Sequence, residues 1–376
     1  MASTLLHFTA LAMMLLSGRW IRELGGSEST LGWFSASIVP GIALGALMAG
    51  RLASRVAEKR LIVIGALLVA GTSFSFARFD EITLWLAPLR FLQGVGHGMV
   101  FTCLISLVAH AVSDGQKARG IGYVTLFAQL GNVGGVALAE GVLLPFGFSA
   151  VFAGAACIAG LTGLAALTLP GSLSHSTRHP GTGGTFSPSR HQVVLTVFFF
   201  MMLGGSYGTV LQLIPLLVQD LPGVTEKTAS ATPVMAAIFM TVAICRLFLA
   251  RLADGRLRQP VLIGSTLLLI AASASWPFVH AISAMVAVAI AFAFGYGLLF
   301  PGLNGLVLTK VAGDWRSRAS GWIVMAFDGG FFGLLLGLGP IADHFGYITM
   351  FSILCTLQLL SALLFLAMAR RIAPVS

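Results

Sequence analysis

The 376-residue chain is 57% hydrophobic and only 9% charged, with a mean hydropathy of +0.94. Soluble domains carry about 25% charged residues, so this composition excludes a water-soluble globular protein. The net charge of +9 at pH 7 does not indicate nucleic-acid binding, because the cations stand in short clusters between hydrophobic runs.

Hydrophobic runs between polar segments predict twelve transmembrane helices, since each crossing needs about 20 apolar residues. The first run begins almost at Met1 and follows no basic segment with a cleavage site. We therefore expect it to be helix 1 rather than a signal peptide. The predicted spans are 3–22, 30–53, 60–78, 83–110, 118–143, 147–169, 192–220, 229–252, 259–278, 280–311, 317–340 and 346–369.

Lysine and arginine are distributed unequally between the two sides of these spans. Twelve spans place both termini on one side, and that side collects 16 cations against 4 on the other, while Arg90 and Arg246 lie inside spans. Cytoplasmic loops of membrane proteins are enriched in Lys and Arg. The sequence therefore predicts a multi-pass inner-membrane protein with both termini in the cytoplasm.

The longest polar segment, residues 171–191, is rich in Gly, Ser, Thr and Pro and falls at the midpoint. Such a composition makes a flexible linker, which has no geometry to hold a metal ion on its histidines. The linker separates a predicted six-helix bundle at 1–170 from a second at 192–376. These halves repeat, because residues 122–152 align without a gap on residues 321–351. Two related halves are a transporter architecture, with the binding site at their interface.

Four segments carry a family resemblance. The loop after helix 8 reads A-R-L-A-D-G-R-L-R (250–258), and the loop after helix 2 reads G-R-L-A-S-R-V-A-E-K-R (50–60). Helix 4 carries R-F-L-Q-G-V-G (90–96), and helix 5 has widely spaced glycines at 122, 131 and 135. The two loops resemble the loop signature of the major facilitator superfamily, G-x-L-a-D-r-x-G-r-[RK]. The helix 4 segment is similar to the family's R-x-x-Q-G-x-G element, and helix 5 resembles its antiporter signature without the Pro and the final Gly pair.

This resemblance covers essentially the whole chain. It implies an all-α membrane protein of twelve transmembrane helices in two pseudo-symmetric six-helix bundles. It also implies a secondary transporter rather than an enzyme, and no cofactor.

An acidic loop residue can stabilise the positive N-terminal end of a facing helix. We expect Asp254 to do so against the start of helix 5 and thereby to close the cytoplasmic side. Ser54 stands at the equivalent place in the other half and lacks the charge. The alternative is that both loops are only topogenic charge clusters. The cations expected at this cytoplasmic gate are Arg51, Arg55, Arg119, Arg251 and Arg258.

Small residues four apart allow helices to approach closely. Such pairs occur on helices 2, 5 and 11 as Gly41/Gly45, Gly131/Gly135 and Gly333/Gly337. They suit either sliding surfaces or static packing.

Polar groups inside spans are costly in hydrocarbon, so each is a candidate for the substrate or proton pathway. Asp328 lies near the middle of helix 11. We expect it to carry a proton or to balance a cationic group of the substrate; the alternative is a structural ion pair with Arg90 or Arg246. The other candidates are Arg90, Gln93 and His97 on one face of helix 4, and Gln129, Asn132, Glu140, Tyr207, Gln212, Arg246 and Asn304 elsewhere.

Together these features predict a proton-coupled secondary transporter that moves a small organic solute by alternating access, with export favoured by the helix 5 pattern. An importer or uniporter of an organic anion, sugar or siderophore-like solute stays open, as does a non-transporting assembly factor. A membrane-embedded enzyme is disfavoured because no paired Asp or H-E-x-x-H motif occurs. The expected partners are the solute, protons and membrane lipids, without nucleic acid, and we expect a monomer.

Overall fold

The computed structural model describes residues 1–53, 55–111, 117–169, 190–224, 229–249, 258–310 and 313–372. Within these ranges every regular element is a helix, and twelve of the helices are long. Nine described segments have the length and hydropathy to cross a membrane, and the last of them, Trp322–Ala367, contains parts of two helices. The predicted all-α fold with twelve spans is confirmed. The helices are α1 Ala2–Glu23, α2 Glu28–Leu52, α3 Glu58–Phe76, α4 Leu86–Ala111, α5 Lys117–Phe146, α6 Phe148–Leu167, α7 Arg190–Gln219, α8 Thr232–Leu249, α9 Arg258–Ser275, α10 Ile282–Lys310, α11 313–345 and α12 347–372.

Successive helices run in opposite directions, so the ends of odd-numbered helices meet the starts of even-numbered ones. We name the end of the bundle where α1 finishes the distal end, and the opposite end, where α1 starts, the proximal end. Residues 171–189 of the predicted linker at 171–191 are outside the described residues, and α7 begins at Arg190.

The repeat seen in the sequence recurs in the backbone. Gly147 joins α5 to α6 with φ +80°, and Gly346 joins α11 to α12 with φ +78°. Glycine adopts this left-handed conformation without the penalty that a Cβ would bring. The same turn therefore closes the same helix pair in both halves.

Glycines bring helices together within each half. A Cβ on Gly41 would lie 2.0 Å from the Phe91 carbonyl oxygen of α4, and one on Gly131 would lie 2.5 Å from the Leu5 carbonyl oxygen of α1. In the C-terminal half, a Cβ on Gly204 of α7 would lie 2.1 Å from the Phe327 carbonyl oxygen of α11. The predicted pairs on α2 and α5 thus serve packing inside one half.

Other glycines bring the two halves together toward the distal end. A Cβ on Gly32 of α2 would lie 2.4 Å from the Leu335 carbonyl oxygen of α11, and one on Gly339 would lie 2.5 Å from the Glu28 carbonyl oxygen. By contrast, a Cβ on Gly337 would meet no atom within 4 Å. Close backbone approach between halves therefore depends on glycines that the sequence pattern did not single out.

Candidate functional site

Five aromatic rings gather in the centre of the C-terminal half. The rings of Tyr207 on α7 and Tyr296 on α10 stack with centroids 4.0 Å apart. Phe327 of α11 lies 6.0 Å from Tyr296 and 5.0 Å from Phe300 of α10, and Phe331 lies 5.9 Å from Tyr207. We name Tyr207, Tyr296, Phe300, Phe327 and Phe331 the aromatic cluster. It joins three helices. Tyr207 and Tyr296 are buried, whereas Phe300, Phe327 and Phe331 are half-buried and offer apolar surface for a ring-containing solute.

Arg246 lies against this cluster from α8. It belongs to a single π-helical turn, Cys245–Leu249, a distortion that often marks functional sites. Its Nη2 donates to the Tyr296 hydroxyl at 3.3 Å, and its Cζ lies 5.8 Å and 5.7 Å from the ring centroids of Tyr296 and Phe300. In the described part of the chain, ion pairs within 4 Å form between Arg19 and Glu140 and from Arg22 to Glu28 and Asp220, and none of them includes Arg246.

Asp328 approaches the same cluster from α11. Its side chain is half-buried, and it directly follows Phe327, whose ring packs against Tyr296 and Phe300. The described ion pairs do not include Asp328 either. The structural pair with Arg90 or Arg246, the alternative that the sequence left open, is therefore not formed within 4 Å among the described residues.

The N-terminal half contributes amide groups on α5. Asn132 donates to the Gln129 side-chain oxygen at 3.3 Å, and Gln129 lies near the Tyr207 hydroxyl. The Nε2 of Gln212 donates to the carbonyl oxygens of Gly208 at 3.1 Å and Phe331 at 2.8 Å. It thereby ties α7 to α11.

Arg90 and Gln93 of α4 make their contacts inside the N-terminal half. Arg90 donates to the side-chain oxygen of Gln93 and lies 4.8 Å from the Phe34 ring centroid. Gln93 in turn donates to Ser73 of α3 at 3.1 Å. The side chains of Arg90, Gln93, Ser73 and Phe34 are all buried, and the first three are polar. Arg90 and Gln93 therefore belong to the interior of this half rather than to the aromatic cluster.

His97 has a partner that the sequence analysis missed. Its Nδ1 lies 2.8 Å from Nε2 of His7 on α1, and both rings are buried. A histidine within the first apolar run was the available signal for His7. Among the described residues no third metal-ligating side chain joins the pair.

Glu140 lies at the distal end and holds the start of α8. Its carboxylate accepts hydrogen bonds from the backbone N–H groups of Ala231 at 2.5 Å and Thr232 at 3.0 Å, and from the Ser230 and Thr232 hydroxyls. Its Oε1, which accepts the Ala231 N–H, also lies 3.6 Å from Nη1 of Arg19 of α1, and both side chains of this pair are buried. A carboxylate at this position satisfies the free N–H groups of the first helical turn and balances its positive end.

Asp343 makes the reciprocal contact between α11 and α2. It accepts hydrogen bonds from the backbone N–H groups of Glu28 at 2.9 Å and Ser29 at 3.0 Å, and from the Ser29 hydroxyl. Thus α5 of the first half caps α8 of the second, and α11 of the second caps α2 of the first.

Arg22 reinforces the same end. It pairs with Asp220, the residue after α7, at 2.7 Å and with Glu28 at 2.9 Å, while Tyr347 donates to Glu28 at 2.6 Å. We name the two caps and these pairs the distal latch. It holds the two halves together at this end.

The predicted cytoplasmic gate lies mostly beyond the described part of the chain. Asp254 and Arg251 fall outside the described residues, as do the side chains of Arg119, Arg258 and Asn304. Arg51 and Arg55 are exposed at the proximal end. The Asp254 latch therefore stays a prediction.

Known proteins share both sequence and fold with this chain. Residues 1–334 match the sequence profile of the Major Facilitator Superfamily. The multidrug resistance protein MdtG of Klebsiella pneumoniae (strain 342) is 30% identical over 137 residues, which are 35% of this chain and 33% of that protein. MdtG of Salmonella typhi is 29% identical over 137 residues, 35% of this chain and 34% of that protein. These matches span about a third of the relatives' length.

Solved structures resemble the chain over nearly its full length. A crystallised mutant of the nucleoside transporter NupG superposes with a TM-score of 0.77 at 14% identity, covering 98% of both chains. A bacterial homologue of the human lysosomal transporter Spinster, crystallised inward-facing and unoccupied, superposes with a TM-score of 0.78 at 12% identity, covering 98% of this chain and 95% of that one. At these identities the likeness shows the fold alone. From the profile match and the twelve-helix fold together, the chain belongs to the Major Facilitator Superfamily and is a multi-pass membrane protein.

Proposed function

We propose that the protein is a proton-coupled secondary transporter that exports a small organic solute by alternating access. The observation that carries the proposal is Asp328, a mid-span carboxylate beside the aromatic cluster that takes part in none of the described ion pairs. The printed name of the MdtG relatives, multidrug resistance protein, supports export.

The charge distribution supports an orientation. Because the proximal side collects most lysines and arginines, it is the cytoplasmic side by the positive-inside rule. Both termini then lie in the cytoplasm of an inner-membrane protein, and the distal end faces outward. The chain works as a monomer of two six-helix bundles, residues 1–170 and 192–376, joined by the linker at 171–191.

Alternating access then depends on the distal latch. Opening the distal end requires breaking the Glu140 cap on α8 and the Asp343 cap on α2 together, since each joins one half to the other. The predicted Asp254 contact at the cytoplasmic end closes as the distal latch opens. Solute and protons reach the aromatic cluster from one side at a time.

Coupling follows from the cost of a lone carboxylate in the membrane interior. Asp328 crosses between the two states carrying either a proton or a cationic group of the solute. A proton that enters from outside displaces the solute, and a solute that enters from the cytoplasm displaces the proton. This exchange is export driven by the proton gradient.

A second candidate, uptake of an organic anion, is favoured by Arg246, because a guanidinium outside every described ion pair attracts a carboxylate. In that mechanism the proton on Asp328 and the anion on Arg246 travel together. The direction of proton movement distinguishes the two candidates.

The test is solute-dependent proton movement in everted membrane vesicles, followed with acridine orange. A panel of organic cations, zwitterions, organic anions and sugars is added to vesicles that hold the wild-type protein, the D328N variant or D80N as a control. Asp80 is an exposed aspartate in the loop between α3 and α4, so D80N should behave as wild type. We expect at least one solute to release protons from wild-type vesicles and none to do so with D328N. Undiminished proton release with D328N would refute Asp328 as the coupling group.

A further inference from the structure

Two opposite charges approach one tyrosine from different helices. Arg246 of α8 donates to the Tyr296 hydroxyl, and Asp328 of α11 directly follows Phe327, whose ring centroid lies 6.0 Å from that of Tyr296. Neither is paired with the other, or with another charge, within 4 Å in the described ranges. Charges in a low-dielectric interior are expensive unless they are paired. The site is therefore ready for a ligand that supplies both missing partners.

We propose that this site binds a small planar aromatic zwitterion, with its anionic group on Arg246 and its cationic group on Asp328. The inference rests on the proposed function, because it identifies the solute that Asp328 exchanges for a proton. The guanidinium presents parallel N–H groups that match a carboxylate. The half-buried rings of Phe300 and Phe327, which pack on the buried ring of Tyr296, supply the surface for the solute's ring.

A solute with one charge fits this site less well. An anion would occupy Arg246 and leave Asp328 without a partner, whereas a cation would leave Arg246 bound only to Tyr296 and the rings. A buried polar group that loses its partner pays its desolvation cost in full. The presence of both a guanidinium and a carboxylate beside the aromatic cluster therefore selects for a solute that carries both charges.

The zwitterion also gives the direction of coupling. Its cationic group and a proton compete for the same carboxylate, so the two are exchanged and do not travel together. An anion held on Arg246 would instead favour a proton on Asp328, and the two would move as one load. The combination of both charges therefore belongs with export.

The experiment uses three ligands that share an indole ring. Tryptophan carries both charges, indole-3-propionate carries only the anion, and tryptamine carries only the cation. Binding to the purified full chain in lipid nanodiscs is measured by isothermal titration calorimetry. We expect tryptophan to bind the wild-type protein about tenfold more tightly than either single-charge ligand. Each single-charge ligand lacks one charged hydrogen bond, and the loss of one such bond weakens binding by about this factor.

Two variants divide the preference between its sources. R246Q should bind tryptophan and tryptamine equally but still prefer tryptophan to indole-3-propionate. D328N should bind tryptophan and indole-3-propionate equally but still prefer tryptophan to tryptamine. R246K and D328E should retain much of each preference. R78Q, which removes an exposed arginine near the distal end, is the matched control and should match wild type. Thermal unfolding of each variant establishes that it is folded.

The outcomes separate this inference from the proposed function. Equal affinity of wild type for the three ligands, no binding of any of them, or ratios unchanged by both variants would overturn the zwitterion site. Loss of proton movement in D328N, with equal binding of the three ligands, would leave proton coupling in place and refute only the solute class. Retained proton movement in D328N, together with the expected binding ratios, would refute coupling and support the site.

Discussion

The distal end and the centre of the bundle treat their charges in opposite ways. At the distal end the carboxylates of Glu140 and Asp343 each accept backbone hydrogen bonds from the start of a helix in the other half. In the centre, Arg246 and Asp328 share an aromatic neighbour and take part in none of the ion pairs in the described residues. The charges at the distal end are bound by groups of the chain itself, whereas the charges in the centre can bind groups of a solute.

This difference separates two kinds of function. A charge with internal partners stabilises one conformation, and its removal changes the balance between conformations. A charge without internal partners adds little to stability, and its removal changes what the protein binds. Variants in the two regions should therefore differ in stability as well as in transport.

The largest effect is expected from E140A. Truncation removes the cap on α8 and leaves Arg19 as a buried cation without its carboxylate. Removing one partner of a buried ion pair costs about 3–5 kcal/mol, so the distal-closed state should be destabilised by about this amount. We expect a lower melting temperature and a population of distal-open molecules. Spin labels at Leu84 and Phe278, both exposed near the distal end, report the opening by electron–electron distance measurement in a background free of the four native cysteines.

Two controls make the E140A measurement specific. E81A removes an exposed carboxylate from the loop between α3 and α4 and should leave the distance distribution unchanged. The double variant R19M/E140A removes both charges and should recover part of the lost stability. An E140A distance distribution equal to that of wild type would contradict the assignment of Glu140 to the distal latch.

A smaller effect is expected from D343A. This residue makes the reciprocal cap on α2 but is exposed, so water can replace part of what is lost. Replacement of a capping side chain by alanine costs about 1 kcal/mol. The same spin labels should show a modest rise in distal-open molecules. Because the two caps share no partner and both break in the same opening, their contributions to the distal-closed state should be additive within about 0.5 kcal/mol in a double-mutant cycle. A larger coupling energy would contradict their assignment as separate contacts broken in one transition.

The sequence was sufficient for the fold but not for the pairing of charges. Hydropathy and the repeat around Gly147 and Gly346 predicted twelve helices, because each helix has its signal in its own segment. The partners of Glu140 and His97 are about 90 residues distant in the sequence. No local pattern records such contacts, so Glu140 was identified as a candidate but not its cap on α8, and His7 was not identified.

Arg90 and Arg246 also show that sequence does not predict the partners of a buried charge. Both are lone arginines within apolar runs, so sequence position alone made either one an equally good candidate to lie beside a solute. Packing distinguishes them, because Gln93, Ser73 and Phe34 surround Arg90 inside one half. Arg246 reaches the aromatic cluster through a π-helical turn, and the residue types around it do not predict that turn.

The smallest effect on stability is expected from R246Q. The guanidinium holds one hydrogen bond at 3.3 Å and two ring contacts, and glutamine keeps a donor near Tyr296. The loss should be about 0.5–1 kcal/mol, the size of a single cation–π contact, and half-burial lets water reach the site. Chemical unfolding of R246Q in detergent, compared with E140A under the same conditions, measures this difference. Transport of the solute should nevertheless fall strongly, because the anionic end of the solute would lose its partner. A loss of stability as large as that of E140A would mean that Arg246 is a structural residue, and the contrast between the distal end and the centre would no longer hold.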